Sequence, residues 1–376
     1  MKLMKNIIAV VIALIMAISV TACHKKDEIA VTVNGFDYTS AYYMCALINA
    51  YSEGQSEVYE ALGDKATSDV DFFKQKIDGK KFETWVKDRA IDVLEEIGTY
   101  QKLCKDAKVE LTDEQMTEAQ NMAYYYWAYY GYSQLFEPNG VSFNTYLQYT
   151  IDSYYGELYF KHLYGEGGKK EIAAADVEAK LYKDFIIADL IDVTFDKETD
   201  KEKEEIKAKL DAYVADLKAG KKTFEEVYND YNDVKPEEEE KEETTEDTTT
   251  DKEDANKEED KTEEKEELKP LDEHAQILGA KDTGYDHDYF DDINKMTTNE
   301  VKVIAKKDKA GYILVVKKDI KADPYYRENL DITVRHLLKD DEFNKDMAEI
   351  FKTAKADVNS FAVDRFKVKK IKEPTY

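Results

Sequence analysis

Asp189-Leu190-Ile191-Asp192-Val193-Thr194-Phe195 is the stretch at which the chain changes period. Before about Ile186 apolar residues recur at threes and fours; from there they follow strand spacing, so a helical half gives way to a mixed half and the expected class is α+β. Working back, Phe82 to Asp106 places Trp85, Ala90, Val93, Leu94, Ile97 and Leu103 at helical spacing. Leu111-Thr112-Asp113-Glu114 opens a further helix, with Thr112 as its cap, that carries Ala119, Met122 and the run Tyr124-Tyr125-Tyr126-Trp127. Another helix is expected from Ser142 to Leu163. At the start, Ile29 to Val33 alternates, Asn34-Gly35 supplies a turn, and Thr39 or Ser40 caps a helix through Tyr51. Working forward, a charged helix spans Glu198 to Ala219 and a short one begins at Phe224. Ile277-Leu278-Gly279 returns to the fold, Tyr289 to Ile293 is helical, and Val301 to Ala305 and Tyr312 to Val316 are strands. A last amphipathic helix runs from Tyr325 to about Lys355, and Val363 to Ile371 alternates as a closing strand.

The 376 residues carry 81 acids against 54 Lys and Arg, a net charge of −27, which excludes a long phosphate-binding groove and hence nucleic acid as partner. From Lys235 to Lys269 there are 18 acids and 7 lysines with almost no apolar residue; such a segment cannot bury enough surface to offset ordering entropy and is expected to be disordered. At the N-terminus, Lys2 and Lys5 precede an apolar run from Ile7 to Val20 that ends in Val20-Thr21-Ala22-Cys23. That is a secretory signal, too short for a permanent span, and its tail resembles a bacterial lipobox. Residues 1–22 are therefore expected to be removed and Cys23 to be acylated, tethering an extracytoplasmic body to the outer face of the cell membrane through lipid such as palmitate. Cys45 and Cys104 lie in helical stretches and are read as reduced and structural. The five histidines form no HxxxH or HxH pair and CxxC is absent, so neither a metal nor another cofactor is expected.

The order of these elements resembles the foldase lipoproteins of the PrsA type and their periplasmic SurA-type relatives. Ile29 to Gly35 is similar to that family's opening strand and turn, and Ala90 to Glu96 followed by Ala107 to Glu114 to its long helix and the start of the next. Lys222 to Val227 with Tyr231-Asn232-Asp233, and Phe290, Met296, Asn299-Glu300-Val301 and Gly311 to Val315, resemble its parvulin-type isomerase domain. The resemblance implies a helical chaperone domain built from both chain ends, residues 23–180 and 323–376, around a parvulin-like domain at 181–322 that holds the acidic insert, 235–269. It also implies peptidyl-prolyl cis-trans isomerase activity, yet the two histidines usual in the family fall on Asp192 and Ile313, and its cysteine or aspartate near Asp233 or Val234. The family's proline pocket is retained as Phe290, whereas its methionine position is Asp286. Whether isomerase activity survives is left open.

Tyr124, Tyr125, Trp127 and Tyr130 form an aromatic group suited to an adaptable peptide-binding surface, or alternatively to helix packing, since tyrosine and tryptophan combine apolar area with a polar edge. With Phe290 and Met296 they are the expected contacts to unfolded or newly secreted polypeptides. The competing readings are a foldase that isomerises prolyl bonds, a non-catalytic chaperone in which the parvulin-like domain is a scaffold, and, more weakly, a solute-binding lipoprotein. The oligomeric state stays open, a dimer included.

Overall fold

The computed structural model describes residues 27–67, 69–232, 269–272, 274–307 and 310–374. Cys23, residues 235–268 of the acidic insert, Asp233 and Val234 lie outside them. The architecture is α+β, and the chain divides into two compact units, residues 1–171 with 340–376, and residues 172–339.

In the first unit β1 (Ile29–Val33) and β2 (Phe36–Thr39) form a hairpin. Its two-residue turn places Asn34 at φ 52° and Gly35 at φ 85°, the left-handed geometry that matches the twist of the strands. The Thr39 hydroxyl accepts from the Tyr42 amide and starts α1 (Ser40–Leu62). That helix runs well past the expected Tyr51 because Gly54 and Val58 continue its buried face. A short hairpin, β3 (Lys76–Ile77) with β4 (Lys80–Lys81), leads into helix α2 (Phe82–Ala107), which packs Phe82, Val86, Ala90 and Leu94 into the same core. A reciprocal Thr112–Gln115 capping box opens α3 (Asp113–Tyr129), and after the short α4 (Tyr132–Phe136) Ser142 caps α5 (Phe143–Tyr164). Cys45 and Cys104 are free and buried, and burial raises both thiols, Cys104 to about 11, which leaves them unreactive.

The second unit is an antiparallel sheet in the order β6-β5-β8-β7. Its members are β5 (Phe185–Thr194), β6 (Ala275–Gly279), β7 (Val301–Ala305) and β8 (Gly311–Lys317). After α6 (Ala174–Asp184), β5 starts four residues before the expected Asp189, because Phe185 to Asp189 pair with β6. Alternation gives the sheet two apolar faces. Ile186, Ala188, Leu190, Ile313 and Val315 pack under Phe290 and Ile293 of α9 (Phe290–Asn294) and under Met296. Ile191, Val193, Leu314 and Val316 pack against Leu210 and Tyr213 of α7 (Asp200–Lys218) and Phe224 and Val227 of α8 (Phe224–Tyr231).

Helix α10 (Pro324–Phe351) carries the residue at which the two units divide. Beyond it the structure corrects one expectation. The closing strand is β9 (Ala356–Val358), which pairs with β1, while Val363 to Ile371 forms the end of α11 (Ser360–Val363) and a 3₁₀ turn at Val368–Lys370. Asn359 accepts from the Ala362 amide and starts a helical turn, and Ala362 and Val368 pack into the first unit's core, so the alternating segment is held by packing rather than by a ladder.

Candidate functional site

The two positions where the family resemblance places histidines are brought together. Asp192 and Ile313 are direct partners across the β5–β8 ladder, on the face that carries Phe290 and Met296. Neither offers the chemistry of an imidazole. Ile313 is fully buried in the apolar layer, and Asp192, 50% exposed, is ion-paired with Lys306, whose ammonium also donates to the Thr194 hydroxyl at 2.5 Å. Phe290 and Met296 are buried too and pack in the sheet's own core, while Phe290 also borders a cavity of about 480 Å³ lined by Ala280, Asp286, His287 and Asp288.

Asp286, at the family's pocket-methionine position, has a different task. Its carboxylate accepts from the backbone amides of Asp282 and Gly284 and so pins the loop that follows β6. The same loop brings in a histidine that sequence spacing did not single out. His287 accepts at Nδ1 from the Tyr289 amide at 3.2 Å, which leaves Nε2 as the donor of the neutral ring. Partial burial holds its pKa below the usual value, against the opposing fields of Asp192 and Asp288. The cue in the sequence was Asp286-His287-Asp288 placed just before Phe290; a loop residue's final position depends on the path between β6 and α9, which periodicity does not encode.

The aromatic group of the first unit separates by face. Along α3, Ala119, Ala123 and Trp127 fall at intervals of four. The two alanines are fully buried, and the indole packs 5.5 Å from both Phe143 and Tyr146. On the opposite side Tyr129 is 72% exposed, Tyr124 and Tyr130 57% and Tyr125 51%. Their rings contact one another, Tyr125 to Tyr130 at 5.2 Å and Tyr125 to Tyr129 at 5.6 Å, and Tyr126 meets Tyr130 at 5.2 Å. Of the residues expected to meet polypeptide, then, Tyr124, Tyr125 and Tyr130 share one exposed face, with Tyr129 added to them. Trp127 supports that face from the core side, and Phe290 and Met296 belong to the other unit. Among the described residues no helix is long and apolar enough to cross a membrane, and no three His, Cys, Asp or Glu residues are grouped to hold a metal ion.

No family model and no curated protein matches the chain. Among solved structures, the 3.10 Å crystal structure of foldase protein PrsA from Lactococcus lactis is similar with a TM-score of 0.36 and 12% identity, over 89% of this chain and 96% of that one. At that level no residue is carried across from it.

Proposed function

We propose that the protein is an extracytoplasmic, lipid-anchored chaperone that holds unfolded or newly secreted polypeptides, and that its four-stranded unit acts as a non-catalytic, parvulin-like scaffold. The observation that carries this reading is the face formed by Tyr124, Tyr125, Tyr129 and Tyr130, four adjoining rings at least half exposed. Such rings give large contact area at low conformational cost and tolerate varied sequence, as an unfolded client requires. The order of sequence motifs supports the same function, and the resemblance of Val20-Thr21-Ala22-Cys23 to a lipobox supports the location. Replacing the four tyrosines together by serine is expected to weaken capture of a reduced, unfolded secreted protein by about tenfold or more, since buried aromatic contacts dominate such interfaces. Fluorescence anisotropy of the labelled client measures this, and undiminished affinity in a folded variant would remove the tyrosine face from the account.

Catalysis of prolyl isomerisation requires a pocket that desolvates the imide and holds a twisted amide across a barrier of about 18–20 kcal/mol. With Ile313 buried and Asp192 engaged by Lys306, the usual polar pair is missing, and the cavity that Phe290 lines beside His287 has Asp286, Asp288 and Asp291 around it, which argues against an apolar imide site. A protease-coupled isomerase assay is expected to give rates equal to buffer. The position of His287 favours the second reading, an isomerase with a relocated histidine. It requires measurable turnover that His287→Ala abolishes.

A further inference from the structure

The helical unit contains a polar cavity that the tyrosine face does not use. It measures about 420 Å³ and draws its walls from β2, α1, α2 and α5 through Tyr38, Tyr42, Gln101, Asn144, Gln148 and Asp152. Asp152 is only 5% exposed. Its Oδ2 accepts from the Tyr42 hydroxyl at 2.8 Å and its Oδ1 from the Gln148 amide at 2.9 Å. The Tyr38 hydroxyl donates to Gln101 Oε1 at 2.8 Å, and the Gln101 side chain in turn hydrogen-bonds to Asp152. Every one of these partners is neutral. Among the described residues no Lys, Arg or His is paired with this carboxylate, although a buried carboxylate is ordinarily matched by a cation.

Neutral donors orient the carboxylate without cancelling its charge. Burial accordingly raises the Asp152 pKa, and only hydrogen bonds oppose the rise. A carboxylate offers about four acceptor sites, so part of its capacity remains for a further donor. The rest of the lining suits a cation on an apolar stem. Half-buried Phe36 supplies ring surface beside the buried Tyr38 and Tyr42, Asp37 adds a second carboxylate, and the Gln148 and Asn144 side chains add carbonyl oxygens.

We propose that this cavity receives the cationic side chain of a bound polypeptide, an arginine or lysine, with Asp152 as its counter-ion. The inference deepens the chaperone reading and rests on it: it makes segments with a basic residue beside apolar ones the preferred clients of an acidic chaperone.

The test titrates the purified protein with a short fluorescent peptide of apolar residues around one arginine, with the same peptide carrying uncharged citrulline, and with free argininamide. The expected result is that the arginine peptide binds at least about tenfold more tightly than the citrulline peptide, and that Asp152→Asn, which keeps one acceptor oxygen for the Tyr42 hydroxyl and offers an N–H to which Gln148 can turn its own carbonyl oxygen, removes the difference. Argininamide should compete only weakly. Equal affinity for the arginine and citrulline peptides, no binding of either, or unchanged discrimination in a folded Asp152→Asn variant would each overturn the proposal. Competition by argininamide as strong as by the peptide would also overturn it, by showing a free-cation site. Should the variant fail to fold, the comparison of the two peptides on the unaltered protein still decides. Capture of an unfolded client without charge discrimination would sink this proposal and leave the chaperone reading standing.

Discussion

Replacing Lys318 by methionine is expected to destabilise the four-stranded unit by about 3–5 kcal/mol at neutral pH, the usual consequence of leaving a buried charge without its partner. Asp189 sits in the centre of β5 with no exposed surface. Its carboxylate has the Lys318 ammonium at 2.7 Å, and Lys318 also pairs with Asp272, but no hydrogen bond of good geometry reaches either Asp189 oxygen. Burial pushes the Asp189 pKa up to about 6, and Lys318 is the chief influence opposing the rise.

The dependence on pH follows from that direction. The native state holds the Asp189 proton more tightly than the unfolded chain does, so its contribution to stability is greatest below the ordinary value of 3.8 and declines as pH rises through about 6. Asp272 is shifted the other way, and its contribution is lost only as pH falls below its own ordinary value. The penalty of Lys318→Met should therefore shrink between pH 7.5 and pH 5, where Asp189 can be neutral. The double variant Asp189→Asn with Lys318→Met should recover most of the loss. Both tryptophans, Trp85 and Trp127, lie in the other unit, so amide hydrogen exchange on β5 and β8 is the suitable probe. A loss under about 1 kcal/mol at pH 7.5 would show that Asp189 does not depend on Lys318.

Gly311→Ala is the second large effect, expected at about 3 kcal/mol or more. Gly311 opens β8 at φ 155°, opposite Thr194. A Cβ added there would lie 1.9 Å from the carbonyl oxygen of Val193, which is backbone held in the ladder and has no rotamer by which to yield. The ladder end that opposes Asp192 to Ile313 would have to separate, and exchange at Val193 to Phe195 should accelerate before the rest of the sheet is affected. Stability within about 0.5 kcal/mol of the unaltered protein would contradict the close approach.

Sequence patterns predicted most elements because local signals set most boundaries. The Thr112 box, the Thr39 and Ser142 caps and the Asn34-Gly35 turn are satisfied within a few residues of chain. What failed to show depends on distant partners. Val363 to Ile371 alternates like a strand, yet Val368 is buried in the first unit's core with Phe366 and Ile371 packed against it, and β9 supplies the strand beside β1. The orientation of Trp127 was obscured for a different reason. From Tyr124 to Tyr132 aromatic residues occupy nearly every position, so their own spacing carries no period, and the inward stripe is marked instead by the small residues Ala119 and Ala123. Asp192 and Ile313 were placed by resemblance, and their direct register across the sheet appears only once β5 and β8 pair. Asp152 gives no sequence signal at all: an aspartate among tyrosines on a helix reads as surface until the fold brings Tyr42 and Gln101 beside it.

The central claim is that unfolded polypeptide is held on the tyrosine face of α3. The most direct measurement places a photo-reactive benzophenone side chain at Tyr129 and, as a control on the other unit, at the exposed Lys201, then irradiates each with a reduced, unfolded secreted protein. The account predicts adducts at position 129 with the unfolded client, few with the same client folded, and few at position 201. Adducts at 129 no more frequent than at 201, or equally frequent with folded and unfolded client, would contradict it.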